Sequence, residues 1–280
     1  MKTRLGFGLV VLVASSVAFA QGQGQGKGQG AGAPAPAQAQ AGAKKAPSKT
    51  TATWWGHAAF IVETPGGARI AIDPWLKNPN APKDAQMPTA LDAILITHGH
   101  FDHVGEAQEL SKQTGAPIYG AFELVGLLGG EKDVGANVGG TFKVKDVTIH
   151  MVEAVHSSGV GQDPKQGLKP GGPAMGYVLK VDNGPTLYHA GDTDVFASMD
   201  LIASRFKPTV AMLPIGGHFT MGPEGAALAA RMLKVKTVVP MHYGTFPPLK
   251  GTPQELEATL KKEKAAARVR TLQPGESVEL

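Results

Sequence analysis

Three histidines and an aspartate crowd into six positions, as His98, His100, Asp102 and His103, directly behind the apolar run Ile94-Leu95-Ile96. Imidazole suits zinc, iron, nickel and copper, and a carboxylate in the same set keeps manganese possible. A polar loop that is merely rich in histidine has no need of four donors at the exit of a buried strand. The run reads instead as a β-strand delivering ligands to a metal site.

Further histidines and aspartates stand at or just beyond the ends of other apolar runs: Asp73, His156, Asp192, His218 and His242. In layered α/β folds the strand ends on one edge open onto a shared crevice, so residues far apart in sequence converge there. The elements that would carry them begin with strands at 53–55, 58–63 and 69–72, the last two hairpinned at Pro65-Gly66-Gly67. A strand at 93–97, a helix at 104–113 stopped by Gly115, a strand at 116–119 and a helix at 122–128 follow. Residues 142–152 read as one strand, and 157–173 as a long loop rich in glycine and proline, of a length typical of lids and binding loops. Strands at 175–181, 186–190, 209–213, 237–240 and 269–272 then alternate with helices at 196–204, 223–233 and 253–264. Antiparallel pairs followed by strand–helix alternation, twice over, predict an α/β (α+β) fold, a four-layer αββα sandwich. No Gly-x-Gly-x-x-Gly follows the first strand, which leaves a dinucleotide-binding fold without support.

The first fifty residues stand apart. Lys2 and Arg4, an apolar run at 5–13 and Ala18-Phe19-Ala20 have the order of a secretory signal peptide spanning 1–20 and cut after Ala20. The apolar run is too short to be a comfortable membrane anchor. Residues 21–50, built from Gln, Gly, Ala and Pro, cannot bury enough apolar surface to offset their ordering entropy and read as a disordered tether. Residues 51–280 form the remaining domain. Six of the 27 basic residues and none of the 23 acidic ones precede Thr51, so the domain carries 21 against 23. That near-neutral balance gives no support to a nucleic-acid partner. With no cysteine, disulfides and thiolate ligands are excluded. The expectation is an exported protein, periplasmic or secreted, with no membrane span after cleavage and a small molecule as substrate.

Six motifs in order carry a resemblance to a known family. They are Gly56-His57-Ala58-Ala59-Phe60, Asp73-Pro74-Trp75, Thr97-His98-Gly99-His100, Tyr188-His189-Ala190-Gly191-Asp192-Thr193, the run from Pro214 to Pro223, and Pro240-Met241-His242-Tyr243-Gly244-Thr245-Phe246-Pro247. Together they resemble the metallo-β-lactamase superfamily, and within it the metal-dependent hydrolases related to ascorbate-6-phosphate lactonases. The resemblance implies two divalent ions, zinc foremost, with manganese, iron or nickel as alternatives. His98, His100 and His156 would hold one ion, and Asp102, His103 and His242 the other, with Asp192 bridging them. In an extended exit loop His98 and His100 point one way while Asp102 and His103 can turn toward a second ion. A water activated by the ions would attack an ester, lactone or phosphodiester, with Asp102 orienting it as the catalytic carboxylate.

The other polar residues are weighed singly. Asp73 reads as an acceptor for a ligand imidazole, and His57 as a supporting group or part of the site wall rather than a ligand. His189 reads as packed or supporting, His150 as structural or exposed, and His218 with Phe219 as a pair that either meets substrate or is structural. Two rival functions stay open: a non-catalytic binding module of the same fold, and an exported amide hydrolase of the β-lactamase type.

Overall fold

A computed structural model describes residues 46–84, 86–161 and 163–280. The signal peptide expected at 1–20 and most of the expected tether lie outside the described residues. Thr50, assigned above to the tether, is buried, its carbonyl accepts from Leu280 N at 2.9 Å, and Lys49 pairs with Glu279 at 2.8 Å. The folded part therefore begins slightly before residue 51.

The chain forms strands β1 Thr51–Trp54, β2 Phe60–Glu63, β3 Arg69–Ile72, β4 Ala93–Leu95, β5 Ile118–Ala121 and β6 Val134–Ala136. Helices α1 Phe101–Val104, α2 Ala107–Thr114 and α3 Phe122–Leu128 are interspersed among them. Next come β7 Thr141–Val144, β8 Val147–Glu153, the two short strands β9 Gly159–Val160 and β10 Lys169–Pro170, β11 Met175–Val181 and β12 Thr186–His189. The remainder is α4 Met199–Phe206, β13 Val210–Pro214, α5 Pro223–Leu233, β14 Thr237–Met241, α6 Pro253–Lys262, β15 Arg268–Val269 and β16 Ser277–Glu279. Two seven-stranded sheets result, ordered β16-β1-β2-β3-β4-β5-β6 and β15-β14-β13-β12-β11-β8-β7. The α2 and α3 helices pack on the first sheet, and α5 and α6 on the second, as the αββα expectation requires.

Strand polarity explains why the polar residues meet. In the first sheet β3 and β4 run parallel, and β1 is antiparallel to β2, which is antiparallel to β3. The C-terminal ends of β1, β3 and β4 therefore share an edge, and His57, Asp73 and the His98–His103 run leave from it. In the second sheet β12, β13 and β14 are parallel, and β8 shares their direction because both β8 and β12 are antiparallel to β11. Their shared edge releases His156, Asp192, His218 and His242.

Three local expectations change. Residues 142–152 are a hairpin, β7 paired with β8, because Lys145 takes a left-handed turn (φ 50°). The helix expected at 104–113 splits into α1 and α2 at Gly105, whose φ is 42°. A Cβ there would collide with Pro74 O and the Trp75 backbone, so only glycine lets the chain pass. The 157–173 loop carries its own small hairpin, β9 with β10.

One apolar core lies between the facing sheets, drawing on Phe60, Ile70, Ile94 and Leu95 from the first and Tyr177, Leu179 and Met212 from the second. Tyr177, fully buried on β11, donates its hydroxyl to Ile96 O at 2.8 Å, one residue before Thr97 and the ligand run. Met175 N adds a bond to Thr97 O at 3.0 Å. The exit of β4 is thus tied to the second sheet by polar contacts as well as packing. Tyr177→Phe should cost about 1–3 kcal/mol, since it strips a buried carbonyl of a partner. Thermal melting should show this as a drop of several degrees; an unchanged melting temperature would mean the tie is not made.

Candidate metal centre

The site grows from Thr97 and Asp73. Asp73 accepts from Thr97 N at 2.8 Å, from the Thr97 hydroxyl at 2.7 Å and from His103 Nδ1 at 2.8 Å. With its proton given to Asp73, the Thr97 oxygen accepts from His98 Nδ1 at 3.0 Å. Both imidazoles are thereby fixed with Nδ1 protonated, which turns a lone pair on Nε2 of each toward the interior of the site. All four residues are fully buried, so these bonds hold in a low-dielectric setting.

Around those two nitrogens the other donors close in. His98 Nε2 and His100 Nδ1 lie 2.9 Å apart, and with His156 they form a group whose donor atoms are all within 4.8 Å of one another. His98, His103 and Asp192 form a second such group. A third unites His57, Asp102, His103 and His242. Asp192 is the hub: its Oδ2 is 3.0 Å from His242 Nε2 and 3.5 Å from His156 Nε2, and its Oδ1 is 3.4 Å from His103 Nε2. Asp102 and His103 reach their places on the short α1 helix that starts right after His100, rather than along an extended loop. On that single turn Asp102 reaches His57, and His103 joins both the second and the third donor group.

Electrostatics match a cation at this place. Burial opposes ionisation of Asp192, but His242 and His103 beside it outweigh that and hold its pKa well below the usual carboxylate range. Burial likewise opposes ionisation of Asp102, yet the His57 hydrogen bond and the charge of His103 keep it low. Burial lowers His98, His100 and His156, which favours neutral imidazoles with free lone pairs. Against burial, Asp192 and Asp73 hold His103 well above the ordinary histidine range. Two buried carboxylates thus call for positive charge beside His103 Nε2. His103 Nε2, Asp192 Oδ1 and both nitrogens of His242 are buried without a hydrogen-bond partner. Such atoms cost about 1–3 kcal/mol each when left unpaired, and coordination to a divalent ion would satisfy His103 Nε2, Asp192 Oδ1 and the His242 Nε2 that faces Asp192. The donor set fits metal.

A family model described as the β-lactamase superfamily domain matches residues 51–242. A UPF0173 metal-dependent hydrolase of Myxococcus xanthus is 62% identical over 245 residues, covering 85% of this chain and 88% of its own length. This chain belongs to the metal-dependent hydrolases of the β-lactamase superfamily. A second member of that group, from an Anaeromyxobacter species, is 50% identical over 84% of this chain and 88% of its own. The metallo hydrolase Igni18 of Ignicoccus hospitalis superposes with a TM-score of 0.74 at 38% identity, over 83% of this chain and 99% of that one.

In this hydrolase the remaining polar residues sort clearly. His57, read above as support or wall, is fully buried within the third donor group. Its Nε2 donates to Asp102 Oδ2 at 3.0 Å, its Nδ1 meets the Thr245 hydroxyl at 2.9 Å, and its ring lies 3.9 Å from that of His242. Burial and then His242 push its pKa down to about 4, so it is a neutral donor at pH 7. His189 is packed away from the cluster, with Nε2 donating to Ala58 O at 3.0 Å. His150 lies on β8 against the Thr141 hydroxyl at 2.9 Å, outside the cluster. His218 is exposed and lines a neighbouring hollow with Asp194 and Lys250, outside the metal cleft. Its ring meets Phe219 edge-on at 4.4 Å, and Phe219 does line the cleft. His57, Asp73, His218 and His242 all hold positive φ, at 51°, 45°, 61° and 54°. Thr97 and Thr245 stood in the motifs with no role assigned, and Ser157, which faces His100 Nε2 at 3.4 Å, and Ser158, which accepts from Gly99 N at 3.0 Å, carried no sequence signal. Hydroxyls at such places gain meaning only once their partners are known.

Proposed function

We propose that this protein hydrolyses an ester, lactone or phosphodiester with two divalent ions. The observation that carries this reading is the convergence of seven ligand-type side chains, Asp192 among them, several with buried donor atoms that nothing else satisfies. His98, His100 and His156 would hold one ion and Asp102, His103 and His242 the other, with Asp192 shared. Zinc is the first expectation for a site rich in imidazole, with manganese, iron or nickel as alternatives. When bound, such ions supply Lewis acidity and bring the pKa of a coordinated water toward neutrality.

The chain's own residues do the rest. Asp102 lines the cleft and remains ionised, placed to orient a water and to accept its proton. His57 fixes that carboxylate through Nε2 and is itself fixed by Thr245. Asp73 and Thr97 hold one imidazole from each ligand set in the right tautomer. His57→Ala should therefore lower kcat by about 10–100-fold and shift the acidic limb of the pH–rate profile, with metal stoichiometry retained. His57→Gln, which keeps a donor, should recover part of the loss. Loss of metal from both variants would make His57 a ligand instead.

The reading is tested with protein loaded with zinc or manganese, on p-nitrophenyl acetate and on bis-p-nitrophenyl phosphate. Turnover that disappears on chelation and returns with metal supports it. Two bound ions without turnover of either substrate would favour a binding module. Export rests on the leader sequence, and an N-terminus at Gln21 in protein recovered from the periplasm or medium is the expected result.

A further inference from the structure

The metal cluster forms the floor of a cleft of about 600 Å³, a size suited to a small organic molecule. Its floor is polar: His100, Asp102, His156, Asp192 and His242. The walls are not. Phe101, Leu168, Phe219, Phe246, Pro247 and Pro248 form them, and among the described residues no lysine or arginine lines the cleft. Lys165 and Lys169, the two cations of the 157–173 loop, are exposed and absent from the lining.

These walls are built, not incidental. Leu168 lies on the backbone of β9: a Cβ on Gly159 would come within 2.8 Å of its Cδ1, and one on Gly161 within 2.9 Å of its Cδ2. The glycines of the loop thus let this one apolar side chain seat closely at the cleft. Phe246 stacks on Trp75 at 5.8 Å and meets the His57 ring edge-on at 5.7 Å, so the wall opposite is continuous with the site's own support. Phe101, Leu168 and Phe219 remain 39%, 41% and 54% exposed, an apolar rim on a protein whose other apolar side chains mostly lie in the core. An exposed apolar patch around a polar floor marks a ligand groove.

We propose, building on the hydrolase reading above, that the cleft takes uncharged esters or lactones whose acyl part is apolar, seated between Leu168, Phe219 and Phe246. A charged group on the acyl part would be stripped of water against these walls with no cation to meet it. An apolar chain gains by burial there, methylene by methylene.

Metal-loaded protein is assayed on p-nitrophenyl acetate, butyrate, valerate and octanoate, and on mono-p-nitrophenyl glutarate, which places a carboxylate near the end of a valerate-length chain. The expected result is a kcat/KM at least ~10-fold higher for octanoate than for acetate, and for valerate than for the glutarate ester. Leu168→Ser and Phe219→Ser, both at exposed positions, should reduce the octanoate-to-acetate ratio. Equal rates along the series, or preference for the glutarate ester, overturn the proposal while leaving the hydrolase reading standing. If no ester turns over, the ester branch of the hydrolase reading is what fails, and the apolar cleft is judged by binding. Fluorescence of the uncharged probe N-phenyl-1-naphthylamine should then rise on binding, fall on addition of 1-octanol, and weaken in both serine variants. Probe binding that neither variant alters overturns it.

Discussion

In Asp192→Asn, total bound metal is expected to fall from near two ions per chain toward one or below, with hydrolysis reduced at least ~10²-fold. The substitution keeps shape and volume and removes a single negative charge. That charge lies within reach of both proposed ligand sets, through Oδ2 toward His242 and His156 and Oδ1 toward His103. Two cations a few ångströms apart repel, and a shared carboxylate offsets that repulsion. His150→Ala serves as control, because His150 bonds only Thr141 and sits apart from the cluster. Elemental analysis after dialysis reads the stoichiometry. Two ions retained in Asp192→Asn, with most activity, would place the bridge elsewhere. One ion in the unaltered protein under saturating metal would replace the dinuclear reading by a single site on His98, His100 and His156.

Metal should also raise thermal stability strongly, independent of any substrate. An ion that binds only the folded chain, present at about 1,000 times its Kd, adds about 4 kcal/mol. For a domain of this size that corresponds to a rise on the order of 10 °C in Tm. The physical source is local: an ion offsets the buried charge of Asp192 and engages His103 Nε2 and His242 Nε2, which are otherwise unpartnered. Calorimetry with and without a chelator measures it, and Asp192→Asn should lose most of the gain. A melting temperature indifferent to metal, with elemental analysis showing ions bound, would mean they bind at the surface and not at this cluster.

How much of this was legible beforehand depends on the range over which each signal acts. The His98–His103 run was plain because its donors are close in sequence, behind a strand whose apolar character is unmistakable. The two-sheet architecture was legible from the order of strands and helices, and Asp73, His156, Asp192 and His242 from their positions at strand exits. The turn at Lys145 was not, because Phe142, Val144, Val147 and Ile149 continue an apolar pattern across it and Lys145-Asp146 contains neither glycine nor proline. The break at Gly105 depends on the Trp75 backbone passing close by, a tertiary fact. The contact of His57 with Asp102 spans 45 residues and follows from strand packing, not from spacing. Leu168 belongs to a loop without periodicity, so nothing in the sequence marked it as a wall of the cleft.

Among the described residues, the nine non-glycine ones with positive φ divide into two groups. Lys145, Asn183, Lys207, Lys234 and Lys264 lie at hairpin turns or helix ends, where a left-handed residue simply closes an element. The other four are His57, Asp73, His218 and His242; His57 and His242 belong to the donor groups, and Asp73 holds the His103 imidazole. Left-handed backbone at a residue other than glycine costs of order 1 kcal/mol. At Lys207 and Lys234, which cap α4 and α5, that cost serves nothing but chain reversal, and glycine there is a route to a hardier protein. At His57, Asp73 and His242 the same conformation aims a side chain, so any gain from relaxing it is withdrawn from the reaction. An engineer seeking heat tolerance has the far ends of the helices to work with, and should leave the strained edge of the sheets alone.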